Sequence, residues 1–138
     1  MRDLRSNLDP VMLVTPRVLA TGNVNGSLDL QGYDSVLLIF AVAAQGVTLA
    51  SGTRLNLLVR DSNNGTTFAN VDDKDVSGDF SSYQFRVDSN GKANKVYAVN
   101  YTGSKRYVQG LVTVTGTHST GTGVSVTALH GNAMYRPV

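Results

Sequence analysis

The chain has 138 residues and a mass of 14.7 kDa, the size of a single domain, and it has no cysteine, which excludes disulfides and thiolate chemistry. All ten acidic residues are aspartate, and twelve basic residues leave a net charge of +2, too small a surplus to indicate a nucleic-acid-binding surface. Valine, threonine, glycine, serine and asparagine are abundant, whereas glutamate is absent. This composition favours strands and turns over helices and predicts an all-β protein.

The N-terminal part is predicted to contain an arm, an edge strand and a short second strand. Residues 1–10 are polar with isolated leucines and are expected to form an N-terminal arm. Residues 11–19 are rich in strand formers, but Pro16 cannot donate a hydrogen bond to a sheet ladder, so this strand is predicted at a sheet edge. A turn cluster at residues 21–26 precedes the short alternating strand 27–30.

The longest apolar run covers residues 36–44, and the predicted strand 35–44 carries apolar side chains on both faces. It is too short to cross a bilayer as a helix. We expect a central strand covered on both sides, or one whose second side is buried at a further interface. Residues 54–60 then show the clearest alternation in the chain, with Leu58 as the one apolar residue on the polar face, which predicts a strand with Leu55, Leu57 and Val59 pointing inward.

Short strands separated by turn signals make up the remainder of the chain. Asn64-Gly65 is typical of a tight hairpin turn, and the returning strand is predicted at residues 66–71. Residues 130–138 are predicted as a C-terminal tail. Further strands are predicted at residues 83–87, 95–101, 105–115 and 124–129. The single domain 1–138 then contains about eight strands, which is typical of an antiparallel β-sandwich or small barrel.

One acidic segment has a spacing that calcium loops use. Asp73, Asp75, Ser77 and Asp79 present oxygen atoms at alternate positions, with a glycine after the third. The twelfth position is Gln84, where such a loop needs a bidentate glutamate. We therefore interpret the segment as a solvated loop without a metal, and retain a calcium-dependent carbohydrate-binding module as the alternative from another functional class.

The histidines and tyrosines do not form a recognisable catalytic pattern. His118 and His130 lack the spacing of metal ligands, and His118 is predicted on a surface loop because glycine, threonine and serine surround it. Tyr97, Tyr101 and Tyr107 lie near basic residues and could stack on single-stranded nucleic acid, but ordinary cross-strand pairing is the more common role. We predict no enzymatic activity, no cofactor and no direct contact with nucleic acid.

Several segments resemble a family of small proteins of tailed bacteriophages and gene transfer agents. The segments are Met1-Arg2-Asp3-Leu4, Asp29-Leu30-Gln31-Gly32-Tyr33-Asp34-Ser35, Arg60-Asp61-Ser62-Asn63-Asn64-Gly65-Thr66-Thr67-Phe68, Tyr101-Thr102-Gly103-Ser104-Lys105-Arg106-Tyr107-Val108 and the end from His130 to Pro137. They are turn and strand motifs rather than catalytic signatures. The resemblance implies a structural protein of the virion: a capsid cement, decoration or head-spike protein.

The same resemblance sets the expected partners and location. It implies that the chain binds the major capsid protein and neighbouring virion subunits and is assembled in the host cytoplasm. We expect no membrane contact; a homo-oligomer is compatible with this role, but the sequence does not determine the oligomeric state. A head–tail joining or tail component is the alternative within the virion. Arms that order on a lattice add multivalent contacts, so the residues expected to touch the capsid are Arg2, Leu4, Arg5, Leu8, Tyr135 and Arg136.

Overall fold

The computed structural model describes residues 8–31 and 33–133, and this part of the chain contains ten strands. The strands are β1 (Asp9–Leu19), β2 (Asn23–Asp29), β3 (Tyr33–Val42), β4 (Arg54–Ser62), β5 (Ala69–Asn70), β6 (Val76–Gly78), β7 (Gln84–Val87), β8 (Lys95–Tyr101), β9 (Tyr107–Thr115) and β10 (Thr122–Ala133). Two single turns of 3-10 helix occur at Asp73–Asp75 and Asn90–Lys92. No helix in the described residues is long and apolar enough to cross a membrane.

The strands form two antiparallel sheets. Sheet A has the order β1-β10-β3-β8-β6. Sheet B has the order β2-β9-β4-β5, and β7 pairs with β4. The inward side chains of both sheets form one apolar core. The all-β sandwich predicted from the sequence is therefore confirmed.

The two strands with the clearest sequence signals lie where they were predicted. β1 occupies an edge of sheet A, and its register with β10 shifts between Met12 and Val14 and again between Val14 and Arg17, beside Pro16. A residue without an N–H is tolerated at an edge or a bulge. β3 is the central strand of sheet A, between β10 and β8. Its alternate residues Val36, Leu38, Phe40 and Val42 are buried in the core.

β4 and its turn differ in part from the prediction. Leu55, Leu57 and Val59 are fully buried, as expected. However, the strand continues through Asp61, where a turn was predicted, because the carboxylate of Asp61 has a buried hydrogen-bond partner. Gly65 has a φ of 76°, which confirms the turn at this glycine. The returning strand is reduced to the two residues of β5.

Other element boundaries also shift. β2 begins at Asn23, inside the predicted turn cluster, because Gly26 serves a close approach between strands rather than a turn. β1 includes the last two residues of the predicted arm, and β10 continues through residues 130–133 of the predicted tail, pairing with both β1 and β3. The chain is therefore part of sheet A almost as far as the described residues extend.

The acidic stretch 72–82 closes one side of the sandwich. Phe80 within it is 1% exposed and stacks on Phe40 at 5.3 Å and on Phe85 at 5.8 Å between ring centroids. Phe85 in turn lies 4.6 Å from Tyr97. This aromatic row spans both sheets, since Phe40 and Tyr97 belong to sheet A and Phe85 to sheet B. Phe80 directly follows the segment predicted as a solvated loop, and Val76 within that segment is 7% exposed, so the segment also contributes to the core.

Candidate functional site

Of the residues expected to touch a capsid, only Leu8 lies within the described part of the chain. Arg2, Leu4, Arg5, Tyr135 and Arg136 lie outside the described residues. Leu8 is half-buried at the start of β1, and its Cδ2 atom is 3.6 Å from the position that a Cβ on Gly131 would occupy. The side chain of Leu8 thus packs over the end of β10.

Both ends of the described chain lie at the same end of the sandwich. Asp9 pairs with His130 and Ala133 pairs with Tyr33, so β1 begins and β10 ends beside the start of β3. In sheet B, Asp29 and Ser62 both pair with Tyr107 at the start of β9. We call this the entry end, and it is defined by Leu8, Asp29, Ser62, Tyr101 and Ala133.

The entry end also holds three of the segments that resemble phage structural proteins. The connection flanked by Asp29 and Tyr33 joins sheet B to sheet A there. The segment 60–68 contains the end of β4 and its turn, and the segment 101–108 contains the connection between β8 and β9. The amide of Leu30 donates to the carbonyl of Arg106 at 2.7 Å, which ties two of these connections together.

A buried carboxylate links the two sheets at the entry end. Asp61 is 4% exposed and accepts a hydrogen bond of 2.8 Å from the hydroxyl of Tyr101. The ammonium group of Lys105 lies 3.3 Å from its other oxygen. Burial, with the hydrogen bond to Asp61, raises the pKa of Tyr101, so this phenol remains the donor.

A polar pocket of about 260 Å³ adjoins this carboxylate. Its lining carries both signs of charge, and its most buried carboxylate is already bonded within the fold. The pocket can therefore accept water or a small polar molecule, while Asp61 itself is committed to joining the sheets. The lining residues are Asp61, Asn70, Asp72, Lys74, Asp75, Thr102, Ser104 and Lys105.

The candidate calcium ligands are distributed over different local structures. Asp73 and Asp75 lie in a 3-10 turn, Ser77 lies in β6, and Asp79 follows that strand. The carboxylate of Asp79 accepts a 2.8 Å hydrogen bond from the amide of Ala98, and its own amide donates to the carbonyl of Ala98 at 2.9 Å. Within residues 8–31 and 33–133, no three acidic or histidine side chains form a group that could hold a metal ion.

Both histidines are buried, so the surface position predicted for His118 is wrong. His118 is fully buried, and its Nδ1 atom lies 2.8 Å from the hydroxyl oxygen of Thr122. Close contact between Gly46 and Gly121 lets the two neighbouring loops pack around it. His130 is 6% exposed and its ring lies 4.1 Å from that of Tyr33 in an edge-to-face arrangement. Because the residues next to His118 in the sequence are polar, its burial could not be predicted from the sequence.

The tyrosines do not form a stacking platform. Tyr97 is 8% exposed and Tyr101 is 2% exposed, so the flat faces of both rings are inside the sandwich. Stacking on a nucleobase requires an accessible ring face. The cross-strand interpretation therefore fits these two residues.

The most unusual surface of the molecule is the outer face of sheet A. Directly paired residues share a face of a sheet. The outward positions of β3 are Leu37, Ile39 and Ala41. Their partners are Leu129, Thr127 and Ser125 on β10 and Asn100, Ala98 and Val96 on β8. Met12 on β1 extends the same face as the partner of Thr127, so the face is mostly small or apolar, with Asn100 as its polar exception. The three large apolar side chains that are most exposed in the described residues, Met12 at 56%, Val18 at 65% and Val96 at 62%, all lie on or beside this face.

The outer face of sheet B has the opposite character. Its outward positions on β4 include Arg54, Asn56 and Arg60, and those on β9 include Gln109 and Thr113. The pair Leu58–Leu111 lies in the same row, but both side chains are buried, at 8% and 7% exposed. The side-chain amide of Asn56 donates to the hydroxyls of Thr113 and Thr115, both at 3.0 Å. A polar outer face is ordinary for an antiparallel sheet in water. The apolar face of sheet A is therefore a specific feature of that sheet.

The outer face of sheet A is divided along its strands into two parts. One half carries the larger side chains of Met12, Leu37, Ile39 and Leu129, which we call the ridge. The other half has a floor of Ala41, Ala43, Gly123 and Ser125 between Val18 and Val96, which we call the hollow. The hollow has a volume of about 470 Å³. Among the described residues lining it, Arg17 and Lys95 carry the charges. Their strand partners are the core residues Val124 and Val42, so neither cation belongs to the outward row of Ala41, Gly123 and Ser125.

The sequence contained one signal for this face. The run 35–44 is apolar on both sides, which predicted either a doubly covered strand or a further interface. The structure leaves Leu37, Ile39 and Ala41 half-buried, with no layer of the described chain over them. The contributions of β1, β8 and β10 could not be recognised, because the register that brings them beside β3 is a property of the tertiary fold.

Comparison with known proteins relates the fold to several solved structures. No family model and no curated protein matches the sequence. The fold is similar to that of the PBSX exported protein XepA, with 18% identity and a TM-score of 0.58 over 94% of this chain and 39% of that chain. The chain thus spans 39% of the length of XepA, and the likeness concerns the fold.

Two further solved structures match with lower TM-scores. The SPBc2 prophage-derived protein YomS has 12% identity and a TM-score of 0.48, over 90% of this chain and 92% of that one. A structure from work on Bacillus endospore appendages, described as disulfide-linked pili, has 10% identity and a TM-score of 0.48, over 92% of this chain and 89% of that one.

Proposed function

We propose that this chain is a non-enzymatic structural protein of a tailed-phage virion, most simply a capsid cement or decoration protein that binds the lattice of the major capsid protein. The observation that carries the proposal is the entry end. At this end β1 begins and β10 ends, beside three of the segments that resemble phage structural proteins. Loops and chain ends on a rigid sandwich are the usual positions of binding residues.

The physical requirements of a cement protein agree with this arrangement. Arms that leave one end of a rigid domain can reach different neighbouring subunits, and each added contact strengthens binding through effective concentration. Leu8 places an apolar side chain at the point where the N-terminal arm begins. Arg2, Leu4, Arg5, Tyr135 and Arg136 remain the proposed further contacts with the lattice.

The test is co-sedimentation of the purified protein with capsids assembled without it. Hundreds of copies per particle are expected for a cement or decoration protein. A handful of copies would instead favour the second candidate, a head-spike, head–tail joining or tail component. Absence of binding to capsids and to tails would contradict the virion proposal as a whole.

A variant pair tests the entry end itself. Leu8→Asp, or removal of residues 1–7, is expected to reduce the bound copies about tenfold or more, because each takes away contacts that act together. Asn25→Asp serves as the control, since it adds the same charge to the exposed outer face of sheet B. Equal losses in Leu8→Asp and Asn25→Asp would show that the entry end is not the binding surface.

A further inference from the structure

The outer face of sheet A has the size and composition of a protein interface. Four of its strands, about 4.8 Å apart, and a length of about 30 Å give an area of about 600 Å² per copy. Two such faces would bury about 1,200 Å², the lower end of the range for specific, stable interfaces. Contiguous apolar patches of several hundred Å² are uncommon on monomeric proteins and mark binding surfaces. What covers this face is the remaining question.

We propose that the outer face of sheet A binds a second copy of this chain, with the ridge of each copy seated in the hollow of the other across a two-fold axis that runs perpendicular to the strands. This inference goes beyond the virion role, because it concerns the outer face of sheet A, which adjoins the entry end at Leu8, and because it requires no capsid.

The ridge and the hollow are complementary within one chain. Ile39 and Ala41 are successive outward residues of β3, with the larger side chain on the ridge and the smaller one on the floor of the hollow. On β10, Leu129 belongs to the ridge and Gly123 and Ser125 belong to the floor. A two-fold axis makes an interface self-complementary. An axis between Ile39 and Ala41 brings each ridge over the hollow of the partner.

The position of the charges selects this axis over the alternative. Arg17 on β1 and Lys95 on β8 lie on opposite sides of the same hollow. A two-fold axis parallel to the strands would place β1 of one copy over β8 of the other and bring these cations together. An axis perpendicular to the strands places the two pairs of cations at opposite ends of the interface instead. Like charges brought into contact at an interface cost several kcal/mol.

The backbone geometry also suits two copies. Two packed sheets lie about 10 Å apart with their strands rotated by about 30°, and their side chains interdigitate. Ala41, Ala98, Gly123 and Ser125 keep the centre of the face low enough for such an approach. β10 and β3 form the middle of the face and are paired along most of their length, so the face is rigid before binding. A preformed surface loses little conformational entropy on association.

The direct test is sedimentation velocity of the purified chain across a range of concentrations. We expect a reversible monomer–dimer equilibrium with a Kd in the micromolar range or below, as interfaces of this size reach. A chain that remains monomeric at about 100 µM, well above such a Kd, would overturn the proposal.

The first variant places a charge on the ridge. Ile39→Lys is expected to raise the dimer Kd at least about 100-fold, because the ammonium group would be buried in an apolar interface. Gln109→Lys is the matched control, since it is a half-buried outward residue in the middle of sheet B. Circular dichroism of each variant checks that the monomer is folded. Equal effects of the two variants would contradict an interface on sheet A.

A size exchange tests the register of the proposed dimer. Ile39→Ala removes volume from the ridge and Ala41→Ile fills the hollow, so each variant alone is expected to weaken the dimer about tenfold. The double variant restores complementarity across the axis, and its Kd should return to within about threefold of the original. If Ala41→Ile instead strengthens association, the face associates through its apolar area without a fixed register, and the ridge-in-hollow arrangement is wrong.

The remaining occupants of the face give distinct results. If the full chain is monomeric but dimerises after removal of residues 1–7, its own N-terminal segment covers the face and the proposal fails. If the chain is monomeric and Ile39→Lys abolishes capsid binding, the face contacts the lattice, which overturns the dimer but retains the virion role. A dimer that does not bind capsids would support this inference and contradict the proposed function.

Discussion

At the scale of single residues, the aspartates have roles that their positions in the sequence did not distinguish. Asp61 is buried and joins the two sheets through Tyr101, whereas Asp29 is exposed and forms a two-point contact with Arg106. Asp79 extends the edge of sheet A by bonding to the backbone of Ala98. The absence of glutamate predicted that the acidic residues shape local structure, and these contacts show three different ways of doing so.

The ion pair of Asp29 predicts a dependence of stability on pH. The hydrogen bond from Arg106 lowers the pKa of Asp29 from 3.8 to about 2. Because the folded state holds this carboxylate ionised more strongly than the unfolded state does, its contribution is present above about pH 4 and is lost as the pH falls toward 2. The pair is exposed to solvent, so the contribution is small, roughly 0.2–1 kcal/mol.

Urea denaturation of Asp29→Asn measures this contribution. The variant is expected to be less stable than the original chain at pH 7 by that amount, and the difference should shrink between pH 4 and pH 2. Asp73→Asn, in an exposed turn, is the control. A difference at pH 7 that persists unchanged at pH 2 would mean that the ion pair is not its source.

At the scale of elements, two glycines allow the sheets to meet at one edge of the sandwich. Gly26 on β2 and Gly110 on β9 are direct partners on the inward face of sheet B. A Cβ on Gly26 would overlap the carbonyl oxygen of Leu13 on β1, and a Cβ on Gly110 would lie 2.9 Å from a methyl group of Val126. The close approach of β1 to sheet B therefore requires residues without side chains.

The variant Gly26→Ala tests this close approach. We expect it to lower the free energy of unfolding by about 3 kcal/mol, because the obstacle is backbone rather than a flexible side chain. Gly52→Ala is the matched control: a Cβ there meets no atom within 4 Å, and the change should be within about 0.5 kcal/mol. Similar stability of the two variants would show that β1 can move away from β2 at little cost.

At the scale of the whole molecule, two surfaces divide the proposed roles. The entry end gathers the ends of the described chain with the connections that resemble phage proteins. The outer face of sheet A is about 600 Å² in area, and most of its side chains are small or apolar. The polar outer face of sheet B is left to contact water. A subunit with two separate contact surfaces can be held by a lattice and by a second copy at the same time.

The arrangement of the acidic segment predicts that calcium does not stabilise the domain. Asp79 is bonded to Ala98, and the carbonyl of Asp75 accepts bonds from the amide and hydroxyl of Thr102. We expect millimolar calcium to leave the melting temperature within about 1 °C of its value in a chelator, because a ligand raises that temperature only by binding the folded state. A rise of several degrees would revive the calcium-dependent carbohydrate-binding module.

The sequence by itself determined the fold class and the inward residues of the regular strands. The alternation in the first part of β4, the proline in β1 and the Asn-Gly turn act locally, so their consequences could be inferred without a structure. Where alternation was absent, burial and strand formation were not predicted. β6, Phe80 and His118 lie in polar stretches of the sequence, and the position of each in the fold depends on partners that are distant in the chain.

The tertiary structure alone decided which surfaces exist. The ridge and the hollow are assembled from β1, β3, β8 and β10, and some of their residues, such as Met12 and Leu129, are more than a hundred positions apart and meet only through sheet register. The entry end likewise unites both ends of the described chain because β1 and β10 are antiparallel neighbours. Local sequence patterns specify which side of a strand is apolar, but a surface arises from pairing between strands, and pairing is set by the packing of the whole core.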